Sequence, residues 1–263
     1  MPRANRYFLP GHVWHITHRC HKQEFLLKFL RDRRRWRHWL FEARKRYGLC
    51  VLNYAVTSNH VHLLVRDRGN AEIGKSLQLV AGRTAQEFNQ RKGRKGAFWE
   101  DRYHATAVDT DQHLTRCMTY IDLNMVRAGV VRHPEEWPLC GYREIQRPPA
   151  RYRVIDQSAL LELLGLRDTA GLQRTCREWV EDALRAAPSR RDPAWTESLA
   201  VGGPEFIEEI KHRLGREAAH RQAIHGDGAI ALREPLPSYG TDSAPEMARL
   251  SGNNAVQTGE GGG

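Results

Sequence analysis

Residues 49–66 read LCVLNYAVTSNHVHLLVR, two apolar runs on either side of the turn-prone Thr57-Ser58-Asn59. Apolar runs of this length bounded by turn residues are buried strands, so residues 49–56 and 60–66 are expected to form a hairpin that Gly69-Asn70 closes. Upstream, residues 12–19 alternate Val13, His15 and Thr17 with Trp14, Ile16 and His18, which predicts another strand. Between the two, residues 24–47 carry Phe29, Trp36, Leu40, Ala43 and Tyr47 at helical spacing, with most of their arginines off that stripe. Trp36 and Trp39 are read as core. Downstream follow a helix over residues 71–90, a Gly- and Lys-rich loop over 91–96, and a strand over 103–108. A third helix then starts at an Asp109/Gln112 capping box and ends near Val126. The order β-α-β-β-α-β-α predicts an α+β fold, a ferredoxin-like split βαβ antiparallel sheet with helices on one face and an additional helix after it.

Beyond Pro148-Pro149 the pattern changes to helical segments at residues 158–164, 169–184 and 204–214. A domain boundary is expected near residue 150, with a C-terminal helical module over 151–235 in which Trp179, Trp195 and Phe206 are core candidates. Residues 236–263, rich in Pro, Ser, Asn and Gly, read as a disordered tail.

The 263 residues carry 41 Lys and Arg against 31 Asp and Glu, a formal net charge of +10. Basic side chains displace the counterions condensed on phosphates, so the partner expected first is a nucleic acid. Eight of the basic residues fall between positions 31 and 46. No apolar run approaches the roughly 20 residues that span a bilayer, and the N-terminus lacks the apolar core of a secretory signal. A soluble, cytoplasmic chain with no membrane partner is therefore expected. The five cysteines are dispersed and never in a CxxC pair, which argues against a zinc ribbon or a disulfide framework and for reduced, mostly buried thiols.

Two constellations carry chemistry. His60-Val61-His62 opens a strand whose two-residue period points both imidazoles to one face, where they can share a metal ion. Taken alone, such a pair reads more readily as two polar residues facing solvent at a strand end. In the third helix Leu114, Cys117, Met118, Ile121 and Met125 form the apolar stripe, and Tyr120 lies off its centre. On the same flank come His113, Arg116, Asn124 and Arg127, with Tyr120 and Asn124 one turn apart. A boundary tyrosine covering the edge of the core is the plain alternative for this helix considered by itself.

From His12 to about Tyr142 the chain resembles the REP-associated tyrosine transposases, single-tyrosine relatives within the histidine-hydrophobic-histidine nuclease superfamily. The matching stretches are SNHVHLLV around His60 and His62, FWEDRYHAT from Phe98, YIDLNMVRAGVV from Tyr120, and Trp137-Pro138 with Tyr142. The resemblance implies a catalytic domain over residues 1–150 in which His60 and His62, with Asn124, bind a divalent metal, Mg or Mn. It also implies Tyr120 as the nucleophile, a 5′-phosphotyrosine intermediate, and single-stranded or hairpin DNA as the partner. Such relatives include obligate homodimers and apparent monomers. Met125 stands where the family carries proline, so the third helix is expected to run longer.

Phosphate contacts are expected from Arg34 and Arg35 on the first helix, from Arg91, Lys92, Arg94 and Lys95 in the loop, and from Arg102, Arg116 and Arg127. Base stacking is expected from Trp14, Phe98, Trp99 or Tyr103. The rival readings are a non-catalytic DNA-binding protein on the same scaffold and a hydrolase that uses water at the histidine pair.

Overall fold

The computed structural model describes residues 8–186, 191–226 and 228–234, so the tail expected over 236–263 lies outside the described residues. The elements β1 (Val13–Arg19), α1 (Leu30–Tyr47), β2 (Cys50–Val56), β3 (His60–Arg66), α2 (Glu72–Lys92) and β4 (His104–Val108) follow in the expected order. They assemble as β2-β3-β1-β4, with every neighbouring pair antiparallel, which is the split βαβ arrangement. Helix α1 starts later than its periodicity suggests. Arg33 turns its guanidinium back onto the carbonyls of Leu27 and Lys28, at 3.1 and 2.7 Å, and so holds the preceding segment as a loop. Gly48, at φ 72°, ends the helix in the left-handed conformation that suits glycine.

The alternation along the strands divides the environment in two. Ile16, Leu63 and Tyr54 face α1 and α2, where Arg37 of α1 donates to the Tyr54 hydroxyl at 2.9 Å. Trp36, Leu40 and Ile73 are buried in this layer, each worth roughly 1.5–3 kcal/mol if taken as typical large apolar side chains. His15, His62, Asn53 and Thr106 face the other way, toward α3 (Gln112–Asp122), and Asn53 donates to the Met118 carbonyl and to Asp122. The two crossover helices therefore share one face, as expected, and the additional helix closes the other. Asp111, rather than Asp109, caps α3 by accepting from the His113 amide at 2.9 Å. The helix breaks at Leu123 and resumes as the short α4 (Asn124–Arg127), so Met125 does not give the longer helix that its substitution for proline suggests. Arg127 donates to the Tyr120 carbonyl across that break, at 2.5 Å.

The chain after residue 140 supplies α5 (Gly141–Gln146), α6 (Gln157–Leu164), α7 (Thr169–Arg185), α8 (Ala194–Glu197), β5 (Ala200–Gly202), α9 (Pro204–Leu214), β6 (Gln222–Gly226) and β7 (Ala229–Arg233). The C-terminal segment thus carries three strands beside its helices. β5 joins the edge of β4 in parallel, and β7 and β6 extend the sheet to seven strands in the order β2-β3-β1-β4-β5-β7-β6. Three-residue β5 is too short to show a period, and β6 is exposed along its whole length and so lacks an apolar alternation. The sequence Gly226-Asp227-Gly228 between β6 and β7 is the hairpin signal that the periodicity reading missed. The five cysteines are free and buried. Among the described residues no helix is long and apolar enough to cross a membrane.

Candidate active site

The turn before β3 orders the first imidazole. Thr57 Oγ1 accepts from the amides of Asn59 and His60, and the Asn59 side-chain oxygen lies 2.7 Å from His60 Nδ1. An amide oxygen only accepts, so this nitrogen carries the proton and Nε2 of a neutral His60 keeps its lone pair. Two residues on, His62 occupies the same strand face, with the ring centroids 4.9 Å apart. Its Nδ1 lies 2.9 Å from His15 Nε2, and its Nε2 lies 2.9 Å from the Asn124 amide nitrogen. Asn124 is the first residue of α4, and the break at Leu123 sets it opposite the strand. Tyr120, on the last turn of α3 and only 7% exposed, lies with its ring centroid 5.9 Å from that of His62. His60, His62, Tyr120, Asn124, Arg127 and Arg191 line one cavity of about 590 Å³.

Burial dominates the electrostatics. It lowers His60 to about 4, with Arg19 and Arg191 acting in the same direction. His62 is held well below the ordinary imidazole value by burial first and then by His60 and His15. Both rings are neutral at physiological pH, the form that donates to a metal. The Tyr120 phenol is pushed above its ordinary value by burial, while Arg127 and Arg191 pull it back. The Arg127 guanidinium lies over the Tyr120 ring, 4.1 Å from its centroid.

Two neutral imidazole nitrogens on one strand face, with a side-chain amide opposite, suit a divalent ion. Turning the Asn124 amide about its last torsion would offer its oxygen to the ion in place of its nitrogen. A different group, Asp109, Asp111 and His113, also has ligand atoms within 4.8 Å of one another. Its carboxylates are already engaged by backbone amides, Asp109 by Thr110 and Gly203 and Asp111 by His113. That cluster joins α3 to β5, and His113, expected on the polar flank of Tyr120, is buried in it.

The basic residues do not converge on the cavity as a group. Arg127 lines it, and Arg116 lines a neighbouring groove with Trp179 and Trp195 on the other side of Tyr120. Arg35 is engaged by Glu87 through two bonds of 2.8 Å, and Arg91 pairs with Asp32. Arg94 holds the Ala97 carbonyl at 2.8 Å and faces Glu24. Arg34, Lys92, Lys95 and Arg102 are exposed. Trp14 and Phe98, at 1% and 2% exposure, are core and cannot stack bases as expected. Trp99 and Tyr103 remain partly open beside Arg102. Sequence reasoning missed His15, Arg19, Arg191 and Trp195, which reach the site from β1 and from the segment around α8.

The sequence profile of the family described as Transposase IS200 like matches residues 11–124, which contain β1 to β4, both histidines, Tyr120 and Asn124. Over these residues the chain is similar to the IS200-like transposases. A solved REP-associated tyrosine transposase bound to a REP hairpin is similar at 20% identity and a TM-score of 0.47, covering 59% of this chain and 94% of its own. A Deinococcus radiodurans R1 protein assigned as a transposase is similar at 15% identity and a TM-score of 0.33, covering 45% of this chain and 95% of its own. Among curated proteins, none matches the chain. The matched residues supply the cavity floor and the tyrosine helix, whereas Arg191 and Thr196 in the cavity wall lie beyond them.

Proposed function

We propose that the transposase domain cuts and rejoins single-stranded DNA through a covalent bond to Tyr120. The observation that carries this reading is the meeting of Tyr120, His60, His62 and Asn124 in one open cavity. The Tyr120 oxygen forms a bond to the scissile phosphorus, the bond from phosphorus to the 3′-oxygen breaks, and that oxygen leaves as a 3′-hydroxyl with a proton. The product is a 5′-phosphotyrosine. Attack by the 3′-hydroxyl of another strand reverses the step and frees Tyr120 without an external energy source. Arg127, above the ring, favours the phenolate, and Arg191 on the cavity wall offers a second positive charge to the phosphate.

His60, His62 and Asn124 would hold a divalent cation, Mg or Mn, and when bound it supplies Lewis acidity to a non-bridging phosphate oxygen. The neutral state of both histidines and the tautomer fixed at His60 serve that role. Hairpin DNA, the substrate implied by the motif resemblance, offers the unpaired strand that a nucleophile recessed in a cavity requires. A fully stacked duplex does not present its backbone there.

The test is denaturing electrophoresis of the protein with Mn²⁺ and labelled hairpin oligonucleotides. Wild type is expected to retain label covalently, and Tyr120→Phe, which keeps the ring but lacks the oxygen, is expected to lose it while binding DNA within a few fold. Cleavage without an adduct would replace this reading with water-mediated hydrolysis. Binding without cleavage would replace it with a DNA-binding role.

A further inference from the structure

His15 is fully buried on β1, and both ring nitrogens are engaged by protein groups. Its Nδ1 lies 2.8 Å from the Trp195 carbonyl oxygen, and its Nε2 lies 2.9 Å from His62 Nδ1. The three groups form a chain whose polarity is set from its outer end. A carbonyl oxygen can only accept, so His15 Nδ1 must donate to Trp195. The Nε2 atom of a neutral ring is then an acceptor, and His62 must donate to it from Nδ1. That leaves the lone pair of His62 on Nε2, the nitrogen that faces Asn124 and the cavity.

We propose that His15 is a positioning residue which, anchored by the Trp195 carbonyl, holds His62 in the tautomer that binds the divalent cation. The segment beyond residue 150 is then an integral part of the metal site. This rests on the metal reading above and extends it to residues that touch neither DNA nor metal. Outer partners of this kind fix ring orientation and raise ligand basicity, and their loss typically lowers metal affinity about 10- to 100-fold.

The outer end of the chain is itself held in place. Thr106 Oγ1 on β4 donates to the Trp195 and Ser198 carbonyls at 3.2 and 2.7 Å, and His104 reaches the Ser198 carbonyl at 2.9 Å. β5, which begins two residues after Ser198, pairs with β4. The carbonyl that orients His15 is therefore fixed by the same strand pairing that joins the C-terminal segment to the transposase sheet. His15 and Thr106 are direct cross-strand partners, so both donors aim at Trp195 from one face.

The test uses the full-length, metal-free protein and Mn²⁺ alone, by titration calorimetry, with His15→Phe and His15→Gln. Phenylalanine fills the space without a donor or acceptor, and its affinity is expected to fall about 10- to 100-fold. Glutamine can accept from His62 through its oxygen and donate to Trp195 through its nitrogen, and it is expected to stay within a few fold of wild type. Equal affinity of wild type and His15→Phe would overturn the proposal, as would equal loss in both variants. Two-bond ¹⁵N–¹H correlation spectra of the metal-free wild type give an independent readout, whether or not either variant folds. The proton on His62 is expected at Nδ1, and a proton at Nε2 would overturn the proposal. If wild type binds no Mn²⁺, the metal reading fails on its own, while the tautomer still decides the hydrogen-bond chain.

Discussion

Arg127 grips Tyr120 twice, donating to its backbone carbonyl at 2.5 Å and laying its guanidinium over the ring. The first contact ties α4 to α3 across the break at Leu123, and the second places a positive charge beside the phenol. The two effects separate by substitution. Arg127→Ala removes the charge that opposes the burial-driven rise of Tyr120, so the phenol is expected to titrate still higher. The rate of adduct formation should fall about tenfold near pH 8 and recover as pH increases. Arg127→Lys keeps the charge but loses the planar guanidinium that lies over the ring, and its pH–rate profile should lie between the two. An unchanged profile for Arg127→Ala would remove this arginine from the chemistry.

Metal affinity should be unusually tolerant of acid. Burial holds His60 at about 4 and His62 well below the ordinary value, so both nitrogens stay unprotonated to well under pH 6.5. Two ordinary imidazoles would cost about a hundredfold in affinity between pH 8 and 5.5, because each must shed a proton. Here Mn²⁺ titrations at the two pH values should agree within a few fold. A hundredfold loss would mean that the rings are accessible to water. His60→Ala and His62→Ala, or a chelator, should each abolish the Tyr120 adduct.

Asp122 makes stability fall as pH rises. Burial raises its carboxyl to about 7, against the pull of the Asn53 hydrogen bond. Between the unfolded value near 4 and the folded value near 7, the folded state holds a proton that the unfolded state has lost. Stability from this group is therefore fully present at low pH and declines as pH rises through that window. Asp122→Asn should remove the decline, making the variant more stable than wild type above pH 7 by on the order of a few kcal/mol. Urea titrations of both proteins at pH 5 and 8 measure the difference. Equal slopes against pH would show that Asp122 remains ionised.

The exposed cations should account for salt-dependent DNA binding better than the paired ones. Lys92 and Lys95 stand open at and just beyond the end of α2, whereas Arg35 is committed to Glu87. Lys92→Glu with Lys95→Glu should flatten the dependence of log affinity on log salt by roughly two units, and Arg35→Ala should change it little. Filter binding from 50 to 300 mM salt distinguishes them. The converse pattern would move the DNA path to the α1 face.

How far the sequence was legible follows from the length scale of each feature. The strands around His60 and His15, seven residues each, carry enough period to be read, and so do α1 and α2. The roles proposed for the histidine pair and for Tyr120 came from the motif resemblance and not from periodicity, whereas the common face of His60 and His62 was legible because a strand repeats every two residues. The outer partner of His15 was not, because a backbone carbonyl 180 positions away leaves no mark in residue type. β5 and β6 were equally opaque, one for its brevity and the other for its exposure. Trp14 and Phe98 misled for the opposite reason, since an aromatic side chain suits a stacking surface and a core alike, and only burial tells them apart.

β3 lies between β2 and β1, hydrogen-bonded on both sides, and Thr17 and Arg19 stand opposite His62 and His60. This makes the site sensitive to parity. Moving the strand by one residue would carry both imidazoles to the α1–α2 side and put Val61 into the cavity, and it would have to break two ladders at once. An exchange of side chains can weaken this centre by degrees, but an odd insertion or deletion within β3 would invert it whole. Sequence change should therefore reach residues 60–66 by substitution, with gaps confined to loops such as residues 93–96, where no alternation has to be kept.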